Sequence, residues 1–96
     1  MKNEGLTWLM QWYYEQCDGD WEHCYGIKIE TIDNPGWSLK IPIFEAKLAE
    51  RDFQKIRIDR TEHDWIRCFI ENGYFKAAGG PFNLSEILNI FKNWAK

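Results

Sequence analysis

Residues 65–77 read Trp-Ile-Arg-Cys-Phe-Ile-Glu-Asn-Gly-Tyr-Phe-Lys-Ala, and this stretch decides the fold. Asn72 and Gly73 predict a two-residue type I′ turn, because both central positions of such a turn need a positive φ. The residues on either side alternate between apolar and polar, which is typical of half-buried strands. The turn therefore predicts a β-hairpin with a defined register, in which Cys68 lies opposite Ala77 on one face.

Three further stretches alternate in a similar way, namely residues 25–32, 37–43 and 53–61. Asp33-Asn34-Pro35-Gly36 joins the first two, and it predicts a turn in which Pro35 fixes φ and Gly36 accepts a positive φ. Residues 45–50 have helical propensity, but the segment is too short to predict a stable helix. Together with the hairpin at Asn72-Gly73, these stretches predict an antiparallel sheet of four to five strands.

A helix is predicted at each end of the chain. Near the N-terminus one apolar stripe at helical spacing consists of Leu6, Leu9, Met10, Tyr13 and Cys17. Trp8 and Trp12 form a second stripe, so this helix is expected to contact the sheet with one side and something else with the other. Near the C-terminus Asn83 is a good N-cap, and Glu86 has the spacing of a capping-box partner. The sequence therefore predicts an α+β fold in which both helices pack on the antiparallel sheet.

The composition limits the class of protein. The chain has 96 residues, of which 45% are hydrophobic and 17% aromatic, and this predicts a single domain spanning residues 1–96. Its net charge is -3, and its basic residues are scattered, whereas a nucleic-acid-binding protein usually shows a basic patch. The first residues lack a signal-peptide pattern, and no apolar run is long enough to span a bilayer. Three cysteines form an odd set without a disulfide spacing, which favours reduced thiols. We expect a cytoplasmic monomer or weak dimer that binds neither nucleic acid nor membrane.

The densest polar segment is Cys17-Asp18-Gly19-Asp20-Trp21-Glu22-His23-Cys24, which we name the acidic turn. Cys17, His23 and Cys24 are legitimate zinc ligands, but their spacing matches no common zinc motif. The same three residues do not define a catalytic triad, because a triad is an arrangement in space and not a spacing in sequence. We therefore predict no metal, no other cofactor and no catalytic residue. A small metal- or thiol-dependent enzyme that uses these three residues is the alternative.

The acidic turn also fits protein recognition. Asp18, Asp20 and Glu22 place three carboxylates around Trp21, and an exposed Trp flanked by acids suits docking onto a basic protein. The alternatives are that Trp21 belongs to the core and that the acids bond nearby backbone N–H groups. A second acid-rich segment at residues 61–65, the hairpin tip, also contains a Trp, and both segments would share one rim if the hairpins pack side by side. The candidate partner-binding residues are Asp18, Asp20, Trp21, Glu22, His23, Glu62, Asp64 and Trp65.

Motifs along almost the whole chain resemble the immunity protein 53 family. They are Trp8-Leu9, Trp12-Tyr13, Gln16-Cys17-Asp18-Gly19-Asp20-Trp21-Glu22-His23, Tyr25-Gly26-Ile27, Asp33-Asn34-Pro35-Gly36-Trp37, Asp64-Trp65, Gly79-Gly80, Asn83-Leu84, Ile87-Leu88, Phe91 and Trp94. The run from Cys17 to His23 is the most distinctive of them, whereas residues 44–59 carry little of the resemblance.

The resemblance implies a function that residue chemistry alone does not give. Members of this family look like bacterial antitoxins that are encoded beside polymorphic toxins and bind their own toxin in the cytosol. Many toxins of such systems are nucleases, whose active faces are often basic, and the acidic turn would suit such a face. The family pattern assigns no catalytic residue, so none is carried over to this chain.

Overall fold

The computed structural model describes residues 4–43 and 47–96. Within them the chain forms α1 (Glu4–Gln16), α2 (Trp21–Cys24), β1 (Lys28–Ile32), β2 (Gly36–Pro42), a 3-10 helix (Lys47–Glu50), β3 (Ile56–Thr61), β4 (Asp64–Glu71), β5 (Tyr74–Gly79) and α3 (Leu84–Ala95). The five strands pair antiparallel in the order β1-β2-β5-β4-β3. The prediction of an α+β fold, with one helix from each end of the chain and an antiparallel sheet, is confirmed.

The hairpin of β4 and β5 forms as the sequence predicts. Asn72 and Gly73 have φ values of 53° and 81°, so both central turn residues are in the positive-φ region. Cys68 pairs with Ala77 in the predicted register. A two-residue turn thus determines the register of β4 against β5, the strand at the centre of the sheet.

The hairpin of β1 and β2 also forms, but the predicted role of Gly36 is wrong. Gly36 is not among the positive-φ glycines of the described residues. It is the first residue of β2, where it lies directly against Gly79, and a Cβ there would collide with the carbonyl oxygen of Gly79. The glycine is therefore needed for close approach of two backbones and not for the turn conformation.

The core lies between one face of the sheet and the two long helices. Its largest members on the sheet include Leu39, Ile41, Ile66 and Phe75, all buried. Phe91 of α3 meets Phe75 at a ring-centroid distance of 5.0 Å, which joins the helix layer to the sheet. The opposite face of the sheet carries no helix of the described chain.

The two apolar stripes of α1 have different neighbours. Trp8 and Trp12 pack against Phe91 of α3, with ring-centroid distances of 5.9 and 5.2 Å. Of the first stripe, Leu9 is buried, whereas Leu6, Met10 and Tyr13 are exposed. α1 therefore rests mainly on α3, and most of its first stripe faces outward instead of covering the sheet.

The segment with helical propensity becomes a short 3-10 helix at Lys47–Glu50, while Glu45 and Ala46 lie outside the described residues. The four-residue length agrees with the expectation that this segment cannot sustain an α-helix. Within the described part of the chain, no helix has the length and apolar character required to cross a membrane.

Candidate functional site

The acidic turn consists of a tight loop and, after it, the single-turn helix α2. The Asp18 carboxylate accepts hydrogen bonds from the backbone N–H groups of Asp20 and Trp21, both at 2.9 Å. The Glu22 carboxylate accepts from the N–H groups of Asp18 and Gly19, at distances between 3.0 and 3.2 Å. Gly19 has a φ of 98°, a conformation that residues with a Cβ rarely adopt. The sequence folds locally because two of its own carboxylates satisfy the turn's backbone donors.

These hydrogen bonds favour the charged form of both carboxyl groups. The backbone N–H groups of Trp21 and Asp20 lower the pKa of Asp18. The backbone N–H of Glu22 itself, and then those of Asp18 and Gly19, lower the pKa of Glu22. The third acid, Asp20, contributes its backbone to the turn, since its carbonyl accepts from the N–H groups at the end of α2. The alternative that the acids bond local backbone groups is thus confirmed for two of the three.

Acidification is expected to remove the stability that the Asp18 carboxylate contributes. Its pKa in the folded state lies below the ordinary value of 3.8, so the contribution is present above that value and is lost as the pH falls through the lowered pKa. Asp18→Asn should therefore be less stable than the wild-type protein at neutral pH, and the gap should close below about pH 4. Urea unfolding at several pH values measures the gap. Asp20→Asn is the matched control, and an equal, equally pH-dependent gap in that variant would contradict this role of Asp18.

Trp21 belongs to the core, so the prediction of an exposed anchor at this position is wrong. Its side chain is 4% exposed. Its ring contacts Trp12 and Tyr13 edge-on at centroid distances of 6.2 and 5.9 Å, and the ring of Tyr25, the residue after α2, lies 6.1 Å away. Burial removes a large apolar area from water, which outweighs the polarity of the neighbouring residues. The alternative that Trp21 is a core residue is confirmed.

Cys17, His23 and Cys24, the residues considered for a metal or thiol site, are not grouped as metal ligands. The Cys17 thiol donates to the carbonyl of Tyr13 at 3.4 Å, and His23 and Cys24 are exposed. In the part of the chain that the structure describes, no three His, Cys, Asp or Glu side chains are grouped so that they could hold a metal ion. Burial raises the pKa of the Cys68 thiol to about 12, so this thiol stays protonated at neutral pH.

A charged network that the sequence reasoning missed holds the hairpin tip. Arg60 pairs with Asp64 at 2.8 Å and with Glu86 of α3 at 2.6 Å. The side-chain amide of Asn83 donates to Asp64 at 2.9 Å. The Asn83 amide and then Arg60 lower the pKa of Asp64, and Arg60 lowers the pKa of Glu86. Asp64, a predicted partner-binding residue, thus links the hairpin tip to α3.

Asn83 is the N-cap residue of α3, as predicted, but its side chain does not form the expected capping box. The side-chain oxygen accepts hydrogen bonds from the backbone N–H groups of Gly80 at 3.1 Å and Trp65 at 3.3 Å. Glu86, the expected capping-box partner, pairs with Arg60 instead. Asn83 is only 5% exposed, so its side-chain oxygen bonds backbone N–H groups that have little access to water.

The other predicted residues of the hairpin tip lie far from the acidic turn in the sheet order. Glu62 is exposed, and Trp65 is half-buried with the guanidinium of Arg67 at 5.5 Å from its ring. The hairpin tip follows β3 and the acidic turn precedes β1, and these strands are the two edges of the sheet. Four strand spacings separate the edges by about 19 Å. This order argues against one common rim for the two acidic segments.

An apolar groove between α1 and β1, the α1–β1 groove, is the feature that the sequence reasoning did not identify. It is lined mainly by Leu6, Met10 and Tyr13 of α1 and by Tyr25, Ile27 and Ile29 on the other side. Its volume is about 460 Å³, and Met10 is 57% exposed in it. The sequence signal for this groove was the double apolar stripe of α1, because a helix that packs against one neighbour buries only one stripe and leaves the other exposed.

Carboxylates lie at one side of this groove and in the pocket next to it. Glu22 lines the groove, and a neighbouring pocket that shares Tyr25 with it is lined by Glu15, Asp18 and Asp20. Residues 4–36 carry seven acidic residues and one lysine, whereas residues 37–96 carry ten basic and eight acidic residues. Four of these acids, Glu15, Asp18, Asp20 and Glu22, line the groove or the neighbouring pocket, so the side built by α1, α2 and β1, which we name the acidic side, combines exposed apolar groups with carboxylates. This combination suits a basic protein partner.

A family model described as Immunity protein 53 matches residues 6–96, from the first turn of α1 to the end of α3. The match includes the acidic turn, the α1–β1 groove and the hairpin tip. No curated protein and no solved structure matches the chain.

Proposed function

This chain belongs to the immunity protein 53 family and is an immunity protein, and we propose that it neutralises one cognate toxin by covering the toxin's active face. Inhibition would be stoichiometric, with one immunity protein bound to each toxin molecule. No catalytic residue of this chain takes part, because the effect depends on occupancy of a surface and not on a reaction. The complex would form in the cytoplasm.

The observation that supports this proposal is the composition of the acidic side. Exposed Leu6, Met10 and Tyr13 line the α1–β1 groove, and four carboxylates line that groove or the pocket next to it, namely those of Glu15, Asp18, Asp20 and Glu22. Protein interfaces commonly derive affinity from buried apolar and aromatic groups and derive association rate and selectivity from charge. A soluble domain rarely exposes several large apolar side chains together unless they bind something.

The charge of the acidic side also indicates the chemistry of the toxin. A surface rich in carboxylates attracts a basic one, and an enzyme that binds phosphodiesters needs a basic active face. We therefore propose that the toxin is a nuclease and that the acidic side lies over the surface that would otherwise bind nucleic acid. Glu15 and Asp20 are the acids best placed to meet it, because Asp18 and Glu22 already bond the turn's backbone.

Co-expression with the product of the neighbouring toxin-like gene tests the function directly. We expect cells that produce both proteins to survive and cells that produce the toxin alone to stop growing. The purified pair should form a stable 1:1 complex in size-exclusion chromatography with light scattering, and the complex should lack the toxin's activity. Growth arrest in both strains, together with no complex, would overturn the immunity function for this pair.

Charge reversal on the acidic side is expected to slow association. Asp20→Lys should lower the association rate constant about threefold to tenfold at low salt and change the dissociation rate less than the association rate, because steering acts before contact. Glu50→Lys is the matched control, since it reverses one exposed carboxylate of the 3-10 helix, outside both the acidic turn and the hairpin tip. Stopped-flow association at two salt concentrations measures the effect. Equal slowing by both variants would mean that general charge, and not the acidic side, governs binding.

A further inference from the structure

We propose that the toxin adds an extended segment to the free edge of β1, with apolar side chains in the α1–β1 groove and a basic side chain toward Glu15 and Asp20. This inference rests on the proposed function and specifies how the partner is held. It names a chain conformation and a sequence pattern for the partner's segment, neither of which follows from the charge of the acidic side alone.

The outer edge of β1 offers backbone hydrogen-bonding groups to an added strand. Among the described strands β1 pairs with β2 alone, so alternate backbone N–H and C=O groups of β1 point away from the sheet. Residues 28–31 are exposed, and the strand contains neither a proline nor a bulge. Such an edge can pair with an added strand, a recurrent mode of peptide recognition.

β3, at the opposite edge of the sheet, has features that protect an edge strand from pairing. The pairing of β3 with β4 shifts register between Asp59 and Thr61. Asp59 also forms ion pairs with Arg57 at 3.1 Å and with Arg67 at 2.8 Å, which places charged side chains along that strand. Bulges and charges are the devices that keep edge strands from pairing. β1 also carries exposed charges, at Lys28 and Glu30, but it has no bulge, and it is the edge that borders the groove.

The size of the α1–β1 groove fits a short extended segment. From Leu6 to Tyr13 the wall of α1 rises about 10 Å, at 1.5 Å per residue. An extended segment covers this length with about three residues, and side chains two positions apart point to the same face. The groove therefore accepts two apolar side chains in an apolar-x-apolar pattern, and its volume of about 460 Å³ is sufficient for two such groups.

The charge around the groove favours a basic occupant. Glu22 lines the groove, and Glu15 and Asp20 line the pocket that continues from it past Tyr25. A lysine or arginine next to the apolar pair would reach these carboxylates. A second copy of this chain fits worse, because it would bring its own acidic side against the same carboxylates. The occupant is therefore a basic partner, which agrees with the toxin proposed above.

The test combines a groove variant with a matched control on an inactive form of the toxin. Met10→Asp places a charge in the groove, whereas Phe82→Asp makes the same kind of change at a residue that is 92% exposed and lines a different pocket, beside the hairpin tip. Both side chains are exposed, so we expect both variants to keep the wild-type melting temperature. We expect Met10→Asp to raise the Kd at least about tenfold and Phe82→Asp to leave it unchanged, by isothermal titration calorimetry.

Residue-resolved hydrogen exchange of the complex tests the strand pairing itself. We expect slowed exchange at alternate amides of β1, those that point away from β2, together with interchain α-proton contacts between β1 and the toxin. A complex that neutralises the toxin but leaves the β1 amides and the Met10→Asp affinity unchanged would overturn this inference and leave the immunity function intact. Pairing of β1 with a second copy, seen as dimers of the free protein, would also overturn it. Absence of any complex with wild-type protein would instead reject the proposed function together with this inference.

Discussion

Replacing Trp21 with alanine is expected to lower the free energy of unfolding by about 3–5 kcal/mol, the range for loss of a large core aromatic. Trp21 is 4% exposed and contacts three aromatic rings, of Trp12, Tyr13 and Tyr25. The indole packs between α1 and α2, so its removal would leave a cavity there. Urea unfolding followed by far-ultraviolet circular dichroism measures the loss.

Trp21→Phe is the informative control for this prediction. The Trp21 indole nitrogen is buried and has no hydrogen-bond partner among the described residues. Phenylalanine keeps most of the aromatic contacts and removes that unsatisfied donor, so its cost should be well below that of alanine. If Trp21→Ala instead left stability unchanged and weakened toxin binding, Trp21 would be an exposed anchor after all. The pair of variants therefore separates a core role from an interface role.

The sheet could be predicted from the sequence because its strongest signals are local. Asn72 and Gly73 specify a turn through their own φ preferences, and the turn alone sets which residues lie opposite one another. Alternation over short stretches then identifies the remaining strands. The C-terminal helix follows from its apolar spacing in the same way. None of these features depends on a distant residue.

The side-chain roles could not be predicted, because each depends on what the fold brings near. Trp21 has the same acidic neighbours whether it is buried or exposed, and only the approach of α1 decides between the two. Gly36 carries a turn signal, yet its function is contact with Gly79, forty-three positions away in the chain. Likewise, the exposed stripe of α1 becomes a groove only because β1 lies beside it. Local composition indicates a candidate surface, but tertiary contacts determine which of its side chains are exposed and able to bind a partner.

Replacing Asn83 with alanine is expected to lower the free energy of unfolding by about 2–4 kcal/mol. Its side chain joins three elements, since it accepts from the backbone N–H groups of Trp65 and Gly80 and donates to Asp64. Alanine would leave the Trp65 N–H without this acceptor in a site that water reaches poorly, and would remove a charge-assisted hydrogen bond. Thermal and urea unfolding measure the loss.

Asn83→Asp tests the same network by charge at nearly constant shape. The new carboxylate would lie beside Asp64 and Glu86, with Arg60 as the shared cation, so its pKa in the folded state should be raised. A raised carboxyl pKa destabilises the fold above the unfolded-state value of about 4, so the loss relative to wild type should shrink as the pH falls toward that value. The loss for Asn83→Ala should depend much less on pH. Equal pH dependence in both variants would mean that Asn83 is not coupled to the two acids, and that the hairpin tip is held to α3 by Arg60 alone.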